Sequence, residues 1–290
     1  MVDARGLIGS HDVLFVTLDS LRYDVARDAL AAGRTPNLAA VLPNGQWEAR
    51  HTPATFTYAA HQAFFAGFLP TPIRPGRHPR LFAARFARSE TTTPHTFVFD
   101  APDVVTGLAA QGYHTICIGG VGFFDKRTAL GSVLPGLFAE SHWYPGLGVT
   151  DRRSTENQVR LAAAAVDRAP RACVPGPASL VTPAPAEGGA ARERRVFLFV
   201  NVSALHRPNR IFLPGAARDS VDSQAAALAY VDRHLPALFG ALQRRGPVLA
   251  ILCSDHGTAY GEDGYVGHRL GHPVVWTVPY AEFVLPEAPR

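Results

Sequence analysis

Lysine is almost missing: Lys126 stands alone among 28 basic residues in a chain of 290, so the formal net charge of +4 rests on arginine. A charge this small gives no footprint for nucleic acid, though it suits a small anionic substrate. Cysteine is scarce too, and Cys117, Cys173 and Cys253 show no metal-ligand spacing. Two of them sit inside apolar runs where a small hydrophobe suffices, so they read as reduced and structural. Long apolar runs are absent: no stretch approaches the roughly 20 residues that cross a bilayer. The opening "MVDARGLIGSHDVLFVTLD" holds an apolar run of only about six residues and no cleavable signal pattern. These absences exclude a membrane partner and make the cytoplasm the expected location. No repeat of fixed period occurs, which excludes a solenoid or propeller.

What is present is a composition for one folded unit. Hydrophobic residues make up 47% and charged residues 18%, ordinary values for a globular protein, so a single domain over 1–290 is expected. Within it, residues 168–195, rich in Pro, Ala, Gly and Arg, read as a flexible loop.

Short apolar runs recur at "DVLFVTLD" (12–19), "HTICIGG" (114–120), "VFLFVNV" (196–202), "VLAILCS" (248–254) and "VVWTVPYAEFVL" (274–285). Their near-continuous hydrophobicity suits strands covered on both faces. Helical patterns fall between them, at 58–66, 103–111, 155–169 and 220–244. Alternation of this kind predicts an α/β fold, with a mostly parallel central sheet flanked by helices on both faces.

Ligands of such sheets bind at the carboxyl ends of the strands. Asp19 ends the first apolar run, His206 follows "VFLFVNV", and Asp255 and His256 follow "VLAILCS", so the four share one rim if their strands are parallel. Singly each has an ordinary use: Asp19 as a helix cap, Asp255 as a turn residue before Gly257, the histidines as satisfied groups. Together they offer oxygen and nitrogen donors suited to Zn²⁺ or Mn²⁺, and the lack of thiolates favours a catalytic over a structural site. A hydroxyl nucleophile is available in "HTPATFTYAAHQAFFAGFLPTP" (51–72), where Thr57 is expected at the N-cap of a helix whose N–H groups would favour an anion. Thr55 satisfies the same argument.

The motifs resemble the alkaline phosphatase superfamily, in its sulfatase-like branch. "VLFVTLDSLRYD" is similar to the branch's opening strand, with Asp19, Arg22 and Asp24 in place and Ser20 where a second acid often stands. "TYAAHQAFFAGFLPTP" is similar to the nucleophile segment, with Gly67 and Pro70 in register; that register selects Thr57 and puts His61 where sulfatases carry arginine. The Ser-Asp-His-Gly run at 254–257 is similar to the segment that ends in two metal ligands. "FVNVSALHRPN" points to His206 as a substrate or second-metal residue, and "GHRLGHPVVWTVPYAEF" to His272 rather than His268, by spacing to Val278 and Pro279. Asn201 and Ser203 stand where the second metal's acid is expected, so one ion is supported and a second remains possible. Lys126 matches the place of a substrate-contacting lysine.

Threonine cannot become the formylglycine of sulfatases, so the resemblance implies phosphoryl chemistry. The expected activity is metal-dependent hydrolysis of a phosphate mono- or diester through a phosphothreonine. Asp19, Thr57, Asp255, His256 and His272 would be metal ligands, with Thr57 and His206 catalytic. The alternatives are transfer of the phospho-group to a small acceptor, and a metal-binding interaction module without catalysis.

Overall fold

The computed structural model describes residues 2–67, 80–83, 96–98, 103–171 and 194–289. Most of the 168–195 segment, Cys173 and Pro70 lie outside them. The main sheet has seven strands: β1 (Asp12–Leu18), β2 (Glu48–His51), β5 (His114–Ile118), β6 (Glu140–His142), β7 (Val196–Val202), β8 (Val248–Cys253) and β11 (Thr277–Leu285), in the spatial order β2-β11-β8-β1-β7-β5-β6. From β8 to β6 every neighbouring pair is parallel, while β11 runs antiparallel to both β8 and β2. The α/β expectation therefore holds, with an antiparallel edge. Two small two-stranded sheets complete the strands: β3 (Arg80–Ala83) with β4 (Thr96–Val98), and β9 (Ala259–Tyr260) with β10 (Val266–Gly267).

The helices are α1 (Ala4–Leu7), α2 (Tyr23–Ala31), α3 (Pro36–Val41), α4 (Thr57–Ala66), α5 (Val104–Ala110), α6 (Ser154–Arg168), α7 (Val221–Gln243) and α8 (Pro273–Trp276). Four of them lie within a residue or so of the periodic segments, and the run at 274–285 divides into α8 and β11.

Because strand side chains alternate between faces, β1 divides its apolar residues between two cores. Leu14, Val16 and Leu18 pack with Leu198, Val200 and Leu252 under α2, α6 and α7, through Ala26, Val159, Ala162, Leu228 and Leu235. Val13 and Phe15 join Phe197, Phe199 and Cys117 on the opposite face, covered by Tyr58 and Phe65 of α4 and by Val105 and Leu108 of α5. This second face changes character along its strands. Phe15 is followed on the same side by Thr17 and Asp19, and Phe199 by Asn201. Thr17 and Asn201 are register partners across β1 and β7. The change from rings to polar groups at the carboxyl ends places the site.

Candidate active site

Asp19, Asp255 and His256 are completely buried, and one potential ligand atom of each lies within 4.8 Å of the others. Asp19 leaves the end of β1; Asp255 and His256 leave the end of the adjacent β8. Ser20, with φ 66°, turns the chain sharply after Asp19, and its N–H donates to Asp255 Oδ1 at 3.0 Å. The His256 N–H donates to the same oxygen at 3.0 Å. Asp255 Oδ2 has no hydrogen-bond partner although it is buried. Such a carboxylate oxygen is costly unless a proton or a cation meets it.

The imidazole of His256 is oriented for the same purpose. Its Nδ1 faces the Gly257 carbonyl at 2.8 Å; a carbonyl only accepts, so Nδ1 carries the proton and Nε2 presents its lone pair. The electrostatics of the two acids differ. Burial, followed by the charge of Asp19, pushes the Asp255 carboxyl well above its ordinary range. Burial alone would raise Asp19 as well, but His206, His256 and the Asn201 amide outweigh it and hold that carboxyl low. Two acids side by side, one ionised and one forced toward neutrality, fit a divalent ion held by Asp19, Asp255 Oδ2 and His256 Nε2.

Thr57 faces this cluster. Its Oγ lies 3.4 Å from Asp19 Oδ2 and 3.3 Å from His256 Nε2. The N-cap of α4 is Phe56, not Thr57 as expected from the sequence, and no side chain caps the helix. Thr57 is the first helical residue, so its hydroxyl is not spent on backbone N–H groups. The first bond within the helix runs from Ala60 N to Phe56 O, and the N–H groups ahead of it point out of the helix N-terminus, the end that favours an anion. Thr55 instead contributes its carbonyl, which accepts from Arg269 N at 2.8 Å.

A cavity of about 450 Å³ opens above Thr57. His206, His268 and Arg269 line one side, and Val121, Phe123, Leu130 and Val149 the other. His268 reaches it from the end of the β9–β10 hairpin, with its ring centroid 4.4 Å from that of His256 and 5.7 Å from that of His206. Burial, then the neighbouring His256 and His206, lowers its pKa to about 3, so the ring is neutral near pH 7. The Nδ1 of His206 donates to the Arg207 carbonyl at 2.6 Å.

The structure thus gathers Asp19, Thr57, Asp255 and His256, with His206 at the cavity wall, and leaves His272 elsewhere. His272 is the N-cap of α8: its Nδ1 accepts from Val274 N at 3.2 Å and its Nε2 meets Asp263 at 3.1 Å. The histidine beside His256 is His268. Spacing to Val278 and Pro279 misplaced the choice because the chain turns on both sides of His268, at Gly267 (φ 96°) and at Arg269 (φ 69°). Lys126 is exposed, bonded to Ser141 through the carbonyl at 3.2 Å and Oγ at 3.0 Å, and does not line the cavity.

Arg22 and Asp24, the other matched positions of the first motif, act nearby. Arg22 is buried, grips Asp24 through Nε at 2.8 Å, and reaches across to Glu262. It ties the turn after Asp19 to the loop between β9 and β10. Residues unmarked as ligands by sequence reasoning also take part: Asn201 donates to Asp19 Oδ2 at 3.1 Å, and His61 to the Thr57 carbonyl at 2.7 Å.

No family model and no curated protein matches the chain. Solved structures do. The C-terminal periplasmic domain of EptC from Escherichia coli, in complex with Zn, superposes with a TM-score of 0.59 at 12% identity, over 96% of this chain and 74% of that one. The soluble domain of lipooligosaccharide phosphoethanolamine transferase A from Neisseria meningitidis gives 0.58 at 13%, over 95% and 77%. A protein in the alkaline phosphatase superfamily from Vibrio parahaemolyticus gives 0.52 at 16%, over 94% and 60%. The chain shares the fold of these proteins, among them the one from the alkaline phosphatase superfamily. Among the described residues no helix is long and apolar enough to cross a membrane. The cytoplasmic expectation draws no support from a likeness to a periplasmic domain.

Proposed function

We propose that the protein is a metal-dependent enzyme that moves a phospho-group from an ester donor to a small acceptor through a covalent phosphothreonine at Thr57. Hydrolysis is the same reaction with water as acceptor. One observation carries the reading: a hydroxyl at a helix N-terminus sits 3.3 to 3.4 Å from two groups of a buried Asp-Asp-His cluster whose ligand atoms lie within 4.8 Å of one another. The likeness to phosphoethanolamine transferases favours transfer over hydrolysis as the main activity.

Asp19, Asp255, His256 and Thr57 Oγ would hold the ion, with zinc first and manganese second. When bound, a divalent ion lowers the pKa of an alcohol and neutralises phosphoryl oxygen charge. The chain's own groups supply the rest. Thr57 Oγ attacks phosphorus, forming the Thr57 O–P bond as the donor's ester P–O bond breaks, and the departing alkoxide takes a proton. His206, on the cavity wall, is the group placed to give and take protons across the two steps, while His268 stays neutral beside it. The free N–H groups of α4 and Arg269 stabilise the anionic phosphoryl oxygens. In the second step the acceptor's oxygen attacks phosphorus, breaking the Thr57 O–P bond and regenerating the hydroxyl. The apolar wall of Val121, Phe123, Leu130 and Val149 suits a diester whose substituent is uncharged.

Incubation of the zinc-loaded protein with p-nitrophenyl phosphate mono- and diesters, with and without an added alcohol, tests this. The expected result is p-nitrophenol release, alcohol-dependent product and a phospho-adduct on Thr57 by intact mass and peptide mapping. Turnover of sulfate esters alone would overturn the phosphoryl reading. Zinc binding without turnover or adduct for any donor would favour the interaction module.

A further inference from the structure

His61 is completely buried, yet the proposed chemistry does not use it. Edges and faces of Phe64, Phe65, Phe124 and Phe199 surround its ring, with centroids 5.4 to 6.2 Å away. An imidazolium enclosed by four phenylalanine rings would be a buried charge in an apolar box. A neutral imidazole there must satisfy both nitrogens, and each hydrogen in its surroundings can be assigned. The Thr57 carbonyl, 2.7 Å from Nδ1, only accepts, so Nδ1 donates. Nε2 must then accept, and the Thr17 hydroxyl donates to it at 2.9 Å. The Thr17 oxygen in turn accepts from Asn201 Nδ2 at 3.1 Å. The second hydrogen on that Nδ2 goes to Asp19 Oδ2 at 3.1 Å. The Asn201 amide cannot be flipped, because its Oδ1 accepts from Val121 N at 3.1 Å.

The chain of bonds closes on itself. It leaves the Thr57 backbone, passes through His61, Thr17 and Asn201 to Asp19, and returns to Thr57 Oγ at 3.4 Å. Three elements contribute: β1 through Thr17 and Asp19, α4 through Thr57 and His61, and β7 through Asn201. We propose that His61 is a positioning residue, and that the ring it closes sets the distance between the Thr57 hydroxyl and Asp19 and so tunes the cation site. The inference deepens the proposed function and rests on Asp19 and Thr57 having the roles given there. Its mechanism is orientation: the ring fixes the rotamer of one ligand and the register of the nucleophile's helix, as partners behind metal ligands do elsewhere.

Thr17→Val tests it, since valine keeps the shape and strand preference of threonine but cannot pass the bond on. Zinc affinity, read by competition with a chromophoric chelator, is expected to weaken by about 10-fold or more, with a similar fall in kcat and little change in KM. Thr17→Ser, which restores the hydroxyl, is expected to recover most of both. His61→Asn, which keeps a donor near Thr57 but loses the link to Thr17, provides a second reading should the valine variant fail to fold. A merely structural role would lower Tm and leave zinc affinity and kcat at their wild-type values below the transition; that outcome in the folded variants overturns the inference. The zinc measurement does not depend on turnover, so absence of catalysis in the wild type would sink the proposed function alone, and absence of zinc binding would sink both.

Discussion

Strand β1 starts at one fully buried aspartate, Asp12, and is followed by another, Asp19, and the two differ in one respect. At its start, Asp12 Oδ1 accepts from Val196 N at 2.8 Å and Oδ2 pairs with Arg245 Nε at 3.3 Å. Arg245, itself buried, also donates to the carbonyls of Val166, Ala169 and Arg194. Every partner is supplied by the chain. At its end, Asp19 lies against Asp255, and Asp255 Oδ2 has no hydrogen-bond partner, with His256 Nε2 at 3.5 Å and His61 Nδ1 at 3.8 Å its neighbours. Burial of an acid therefore does not distinguish a functional site from a structural one; the incomplete set of partners does.

The sharpest way to break this comparison is Thr57→Ala, which removes the nucleophile and leaves all the carboxylates and His256 in place. Turnover should fall by roughly 10³-fold or more, with the fold, by circular dichroism, and bound zinc, by elemental analysis, retained. An unchanged rate would remove Thr57 from the mechanism.

Next are paired changes at the two ends. Asp12→Ala strands the buried Arg245 guanidinium and should cost about 3–5 kcal/mol in urea unfolding, while zinc affinity of the folded protein is unchanged. Asp255→Asn should do the reverse. Its carboxyl is already pushed toward neutrality without a cation, so the metal-free variant should melt close to wild type while losing most of its zinc affinity.

Zinc itself sharpens the contrast. At 100 times its dissociation constant it should stabilise the wild type by about 2.7 kcal/mol, visible as a raised Tm that chelator reverses. Asp255→Asn should show no such rise.

A further effect is in pH. Burial holds His61 and His268 neutral, with pKa values of about 4 and about 3 against 6.5 unfolded. Between those limits the unfolded chain binds more protons than the native one, so these two groups make the metal-free protein lose stability as pH falls below about 6.5. Asp12 acts in the opposite sense: burial, its largest influence, raises its carboxyl despite Val196 and Arg245, so the native state holds that proton more readily. His268→Asn should flatten the slope of unfolding free energy between pH 6.5 and 4, measured with chelator present. An unaltered slope would mean that His268 is not held neutral.

The fold was largely legible in the sequence because its strands are apolar on both faces and its helices periodic, as with Ser154–Arg168 and Val221–Gln243. The antiparallel direction of β11 was not, since strand direction leaves no mark on side-chain pattern. In the site, Asp19, Asp255 and His256 could be read from their places after apolar runs. His268 could not be separated from His272, because the decision lies in backbone turns between them. His61 carried a usable signal, since it falls four residues after Thr57 and so on the same helix face. Asn201 carried none until register placed it beside Thr17.

The position of β1 has a consequence for how the molecule is made. It lies in the middle of the sheet, with Val13 paired to Phe197 on one side and to Leu249 on the other. The strand leaves the ribosome before both of its neighbours and must wait for segments about 180 and 235 residues downstream before either edge is covered. During that interval its apolar faces and unpaired backbone are open to other chains. Synthesis slowed between residues 20 and 195 should therefore raise aggregation more than a pause of equal length after residue 255, when both neighbours are available.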